Sequence, residues 1–227
     1  MSKMKKVSIL GCGWVGKALV KILNTNKYDI LCLFRNIKEN SILGGYDCDV
    51  LVIAIPPRDN YLEVLKETLG RVDASTQVIL LSSISFYDGK TLVIEAEALV
   101  QHDHQGAVIL RLGGLMGYDR IAGKYTAGKV LTSDARTNYV HRDDVVGIIE
   151  SIIAEDVREE IFDVVAPLQY SKKEIFSQNA EVFGFEKTVF LFCDEVGKVL
   201  APTKLCDLLG YTFLKEDVKA FWQNDND

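Results

Sequence analysis

Gly11, Gly13 and Gly16 stand in the spacing G-x-G-x-x-G, directly after the apolar run Val7-Ser8-Ile9-Leu10 and directly before a helical pattern. That spacing suits one kind of chemistry, the holding of a diphosphate by backbone N–H groups. Gly11 allows a tight turn out of a strand. Gly13 lets an anion approach the backbone, and Gly16 lets helix and strand pack closely. The helix N-terminus adds unpaired N–H groups and a partial positive charge. The loop Gly11, Cys12, Gly13, Trp14, Val15 and Gly16 is therefore expected to bind the pyrophosphate of a dinucleotide.

Such a loop calls for a ribose-reading residue about 20 positions further on. The run Ile30-Leu31-Cys32-Leu33-Phe34 reads as a second strand that ends at Arg35. An acidic residue there would accept from a 2′-hydroxyl and repel a 2′-phosphate. A guanidinium does the reverse, because it can fork onto a phosphate. NADP is thus expected in preference to NAD. A third apolar run ends at Ala54 and Ile55 and breaks at Pro56-Pro57. A proline pair cannot continue a central strand. It directs the chain over the strand's carboxyl end, which places Ala54, Ile55 and Pro56 beside the adenosine side of the cofactor.

The elements that must position these groups follow from the pattern. Strands are expected at Val7–Leu10, Ile30–Phe34, Val50–Ile55, Val78–Leu81, Val108–Leu112 and Ile161–Val165. They are rich in Val, Ile and Leu with little alternation, as in strands covered on both faces. Helices are expected near Val15–Leu23, Asn60–Leu69, Leu92–Val100, Asp143–Ala154 and Lys172–Phe183, the last opened by a capping box at Ser171 and Glu174. The stretch between Arg35 and Asp49 is short for a crossover, so a truncated helix and a short or missing strand are expected around Ser41–Tyr46. Strands alternating with helices predict an α/β fold, a Rossmann-type doubly wound and mostly parallel sheet. Residues 1–165 form the dinucleotide-binding part and residues 166–227 a small helical appendage, together one compact unit. Tyr118–Asp134 has no period and reads as a long loop of the kind that walls a pocket.

Composition narrows the partners. Of 227 residues, 48% are hydrophobic and the net charge is −6, which argues against a nucleic-acid surface and for a sizeable core. No apolar run approaches the roughly 20 residues that cross a bilayer. The apolar run before Cys12 is too short for an export signal. The five cysteines contain no C-x-x-C pair and read as reduced thiols of a cytoplasmic protein. His102-Asp103-His104 lacks a completing ligand set and reads as a solvated helix end, so no metal is expected. Glu95 and Glu97 are two apart on a helix and cannot form a catalytic pair.

Further segments share an order with the glycine loop: Ser82-Ser83-Ile84-Ser85-Phe86-Tyr87-Asp88-Gly89, Arg111-Leu112-Gly113-Gly114-Leu115-Met116-Gly117, and Asn138-Tyr139-Val140-His141-Arg142-Asp143-Asp144-Val145. The set resembles the extended and atypical short-chain dehydrogenase/reductase superfamily, in particular its NAD-dependent epimerase/dehydratase-like proteins. The resemblance implies a Rossmann domain with a small C-terminal substrate part and a pocket between them. It implies hydride transfer between nicotinamide and a hydroxyl or carbonyl, often on a nucleotide sugar. Ser82 and Ser83 would face the nicotinamide, and Ser83 would hold the reacting oxygen. Asp144 matches a helix-start aspartate, for which capping is a sufficient role.

The departure lies in the proton donor. The family's Y-x-x-x-K pair is missing from the helix after the serine segment, which reads Lys90-Thr91-Leu92-Val93-Ile94-Glu95-Ala96-Glu97. Tyr87 with Lys90 is one substitute and His141 another, although a structural histidine would fit the same position. Arg111 could meet an anionic substrate or brace its own loop. Two readings stand. One is an NADP-dependent oxidoreductase or epimerase/dehydratase-like enzyme acting on a small polar carbonyl or nucleotide-sugar-like substrate. The other is a non-catalytic dinucleotide-binding redox sensor. Family members often pair as homodimers, though no face of this sequence marks such a contact.

Overall fold

The structure, a computed structural model, describes residues 4–23, 28–35, 40, 44–58, 60–191 and 197–223. Its main sheet is built from β1 (Lys5–Leu10), β2 (Tyr28–Leu33), β3 (Val50–Ile53), β4 (Gln77–Ser83), β5 (Val108–Leu112) and β9 (Ile161–Val164), in the order β2-β1-β3-β4-β5-β9. The β1–β2, β1–β3, β3–β4 and β4–β5 pairs are all parallel. Every residue of β3 is fully buried, which explains why its sequence does not alternate. The expected strands are all present, within a few residues at their ends. Among the described residues no strand lies between β2 and β3 in sequence, so β2 ends the sheet's order.

Among the described residues the α-helices are α1 (Trp14–Leu23), α2 (Tyr61–Leu69), α3 (Thr91–Asp103), α4 (Arg142–Ala154), α5 (Lys172–Phe183) and α6 (Thr203–Leu209). The capping box of α5 is present in both directions: Glu174 N–H donates to Ser171 Oγ at 3.2 Å and Ser171 N–H to Glu174 Oε2 at 3.0 Å. α3 runs beyond its expected end at Val100. His104 then turns inward, is 6% exposed, and places Nε2 2.7 Å from the Thr76 carbonyl oxygen. The reading of His102-Asp103-His104 as solvated therefore holds for His102, which pairs with Asp103, but not for His104. Among the described residues no cluster could hold a metal ion and no helix is long and apolar enough to cross a membrane.

The chain groups into two compact units, residues 1–112 with 145–162, and residues 113–144 with 163–227. The segment 113–144, expected within the dinucleotide-binding part, thus belongs with the C-terminal residues. The first unit carries β1 to β5 of the main sheet. The second holds two short parallel pairs, β6 (Gly114–Met116) with β8 (Tyr139–His141) and β7 (Val130–Leu131) with β10 (Val189–Phe190). Its core joins Ala122 to Ile175, Phe176, Val218 and Phe221. The stretch Tyr118–Asp134 is therefore not a free loop, since it carries β7 and packs on α5.

Asp144 does not cap its own helix, as the sequence suggested. It is fully buried and accepts from Leu214 N–H at 2.6 Å, Lys215 N–H at 3.1 Å and the Tyr211 hydroxyl at 3.2 Å. Burial pushes its carboxyl above the usual range even though these bonds favour the charged form. A single carboxylate thus fixes the C-terminal segment within the second unit. Asp144→Ala is expected to cost about 3 kcal/mol, because it removes the shared acceptor of the Leu214 and Lys215 N–H groups and of the Tyr211 hydroxyl. The check is a shift of the urea or thermal midpoint, and an unchanged midpoint would show that the bonds contribute nothing net.

Candidate functional site

The glycine loop leaves β1 at Gly11, whose φ of 102° lies in a region that side chains disfavour. Two close contacts enforce the glycines. A Cβ on Gly11 would lie 2.8 Å from the Ala54 carbonyl oxygen, and one on Gly16 would lie 2.5 Å from the Gly11 carbonyl oxygen. Gly13 behaves differently, because a Cβ there would meet nothing within 4 Å. Gly11 and Gly16 thus fasten strand, loop and helix together, while Gly13 presents bare backbone to open space. α1 begins at Trp14 with no acidic residue in its first turn to oppose an anion there.

The neighbouring strand ends meet this loop. Ala54 N–H donates to Leu10 at 2.8 Å and Gly11 N–H to Leu33 at 3.2 Å. Arg35, just past β2, donates Nη2 to the Pro56 carbonyl at 2.7 Å and Nη1 to Asn60 Oδ1 at 3.4 Å. The expected positions Arg35, Ala54 and Pro56 are therefore brought to the same edge of the sheet as the loop. Cys12 and Cys32, expected as free thiols, are joined in a disulfide. The reading of the cysteines as reduced is corrected here for that pair, whereas Cys48 and Cys206 are free.

A second cluster stands at the ends of β4 and β5. Ser83 caps a short 3-10 helix, Ile84–Asp88, and accepts from Ser85 N–H at 3.1 Å and Ser85 Oγ at 3.0 Å. Those bonds use its oxygen as an acceptor and leave its own O–H to donate. Ser82 Oγ donates to Glu97 Oε1 at 2.5 Å. Glu97, with a side chain only 2% exposed, pairs in two-pronged fashion with Arg111, Nη2 at 2.8 Å and Nε at 3.0 Å. Arg111 then lies 3.5 Å over the Phe86 ring centroid and donates Nη1 to the Tyr87 hydroxyl at 3.1 Å. Burial works against the charge of Arg111, but its bonds with Glu97 and Tyr87 outweigh it and raise its pKa.

No family model matches the chain. Protein YeeZ of Escherichia coli K12 is 26% identical over 267 residues, covering 94% of this chain and 97% of that protein. Among solved structures, a Methylobacillus flagellatus protein assigned as an NAD-dependent epimerase/dehydratase superposes with a TM-score of 0.76 at 19% identity, with 96% of each chain covered. A human epimerase family protein solved with NADPH superposes with a TM-score of 0.73 at 15% identity, over 95% of this chain and 97% of that one. This is the fold of the epimerase/dehydratase-like short-chain dehydrogenase/reductases.

The three positions that the sequence offered for a proton donor lie in different surroundings. α3 carries no Tyr-x-x-x-Lys pair. Tyr87 is 36% exposed, and the cation at its hydroxyl is Arg111. His141 lies in the second unit and is 2% exposed. Its Nδ1 accepts from Asp143 N–H at 3.3 Å, and its ring packs edge-on against Phe221 and tilted against Tyr118. Those are the surroundings of a packed histidine. Sequence reasoning missed Glu97. The signal was present, because Glu97 falls on the same buried face of α3 as Val93 and Val100, and a carboxylate there requires a cationic partner.

The contrast among the glycines is testable without any ligand. Gly16→Ala forces the Gly11 carbonyl aside and is expected to cost about 2 kcal/mol. Gly13→Ala is expected to stay within about 0.5 kcal/mol of wild type. Equal unfolding midpoints for the two variants would contradict the packing described.

Proposed function

We propose that this chain binds NADP(H) and acts as an oxidoreductase or epimerase/dehydratase-like enzyme on a small polar carbonyl or nucleotide-sugar-like substrate. The observation that carries the proposal is the division of roles in the glycine loop. Two glycines are demanded by packing and the third, Gly13, keeps bare backbone open at a helix N-terminus. A pyrophosphate is the ligand that such a surface fits. Arg35 favours a 2′-phosphate, since its bonds to Pro56 and Asn60 hold the guanidinium at the end of β2 and leave other N–H donors of the fork.

A bound nicotinamide supplies or accepts the hydride. In this reading Ser83 presents its O–H to the reacting substrate oxygen. Tyr87, held by Arg111, is the proton donor that takes the place of the missing pair. Arg111 is a positioning residue, fixed in turn by Glu97. The working compartment is the cytoplasm, and the substrate is a small molecule rather than a nucleic acid or a membrane surface.

The lack of a Tyr-x-x-x-Lys pair on α3 favours a second reading. In it the chain holds the dinucleotide and reports its redox state to a partner without turnover.

Fluorescence titration with NADPH and NADH tests the binding step. NADPH is expected to bind more tightly, Gly13→Ala to abolish binding, and Arg35→Ala to weaken NADPH by about tenfold while sparing NADH. Equal NADPH affinity for wild type and Arg35→Ala would remove the NADP assignment. Turnover on a panel of aldehydes, ketones and nucleotide sugars then separates the readings. Ser83→Ala and Tyr87→Phe are each expected to lower kcat by about 100-fold or more with cofactor affinity retained. Tight binding with no turnover on any member of the panel would favour the sensor.

A further inference from the structure

The Cys12–Cys32 bridge lies where the dinucleotide reading places the cofactor. Cys12 sits between Gly11 and Gly13, in the run whose backbone would meet the pyrophosphate. Cys32 lies in β2, opposite Ile9 of β1 and three residues before Arg35. The two Cα atoms are 5.8 Å apart although 20 positions separate them in sequence. This proximity does not depend on the bond alone, because Gly11 N–H reaches the Leu33 carbonyl at 3.2 Å and so draws the loop across the end of β2. Both cysteines are half-buried, and so within reach of a small thiol. A cystine is unusual in a cytoplasmic protein, where it is commonly transient and redox-sensing.

We propose that Cys12 and Cys32 form a redox pair that sets the affinity of the phosphate loop, high when bridged and lower when reduced by a dithiol. The proposal rests on the dinucleotide reading above. A Gly-Cys-Gly run is among the most flexible a chain can have, so ordering it on a ligand carries a large entropic cost. The bridge ties the middle residue of that run to a strand of the main sheet, and the cost is met before the ligand arrives. In the bridged state a Cβ on Gly13 would meet nothing within 4 Å and the first turn of α1 holds no acidic residue, so the oxidised form is the one arranged to bind.

The exchange is balanced. A thiolate of the dithiol attacks one sulfur of the bridge, forms a mixed disulfide and releases the other cysteine, which takes up a proton. The second thiol of the reductant then attacks the mixed disulfide, frees the remaining cysteine and leaves the reductant as a disulfide. Two electrons and two protons pass to the protein. Glutathione disulfide, through the reverse exchange, restores the bridge.

The test uses the full chain in two states, after treatment with dithiothreitol or with glutathione disulfide and removal of the reagent. Alkylation and peptide mass report whether Cys12 and Cys32 are free, and NADPH titration reports affinity. Reduction is expected to weaken NADPH about tenfold, with recovery on re-oxidation. Cys32→Ser is expected to match the reduced protein and to ignore dithiothreitol, and Cys48→Ser to respond as wild type. Equal affinity in the two verified states overturns the proposal and leaves the cofactor reading intact. So does finding both cysteines alkylated after glutathione disulfide. No NADPH binding in either state overturns the cofactor reading and the affinity switch together.

Discussion

Around the end of β1 the backbone passes so close to itself that side chains are excluded. A Cβ on Gly16 would lie 2.5 Å from the Gly11 carbonyl, and one on Gly11 would press on Ala54. These contacts fix how β1, the loop and the start of α1 pack on one another. They also draw the loop after β3 against the loop after β1, and that loop in turn anchors Arg35 through the Pro56 carbonyl. The bare backbone at Gly13 is thus a by-product of tight strand–helix packing. Gly13 is the one position where the loop spends a glycine on something other than packing.

The second organising interaction is the buried ion pair of Glu97 and Arg111. It joins α3 to β5, takes in Ser82 from β4 and fixes Phe86 and Tyr87 between them. Two buried charges are costly to desolvate, and such a pair rarely adds net stability over a well-packed apolar one. What it adds is definition, since a planar guanidinium forked onto a carboxylate has few alternative geometries. That definition lies directly beside the serine and tyrosine hydroxyls. α3 carries no Tyr-x-x-x-Lys pair, and an arginine is held against Tyr87 beside it.

Local rules made most of the frame legible in the sequence. The strands of the main sheet, the helices α1 to α5 and the capping box at Ser171 all follow from patterns a few residues long. The glycine spacing gave the loop, and strand ends gave Arg35 and Pro56. What escaped was non-local. Nothing in the spacing of Cys12 and Cys32 shows that the loop after β1 crosses the end of β2 and brings them together. The spacing of Glu95 and Glu97 shows only that they form no catalytic pair, and the ion pair of Glu97 with Arg111 of β5 is a non-local contact. Asp144 sits where a capping residue would sit, yet its partners Leu214 and Lys215 lie about 70 positions away. The stretch 118–134 has no period because its apolar residues pack in ones and twos against α5 and the C-terminal turns.

The order of the sheet has a consequence for the nascent chain. Five neighbouring strands, β2-β1-β3-β4-β5, are complete by residue 112. The apolar residues Val145, Val146, Ile148, Ile149, Ile152 and Ile153 of α4, all fully buried, arrive only later. Lys5 of β1 reaches the Ile153 carbonyl, and Gln77 of β4 reaches that of Ile152, only once that helix is in place. During synthesis the sheet must therefore wait, partly uncovered, for about 40 more residues to leave the ribosome. That interval is when the chain is most exposed to aggregation and most in need of a chaperone.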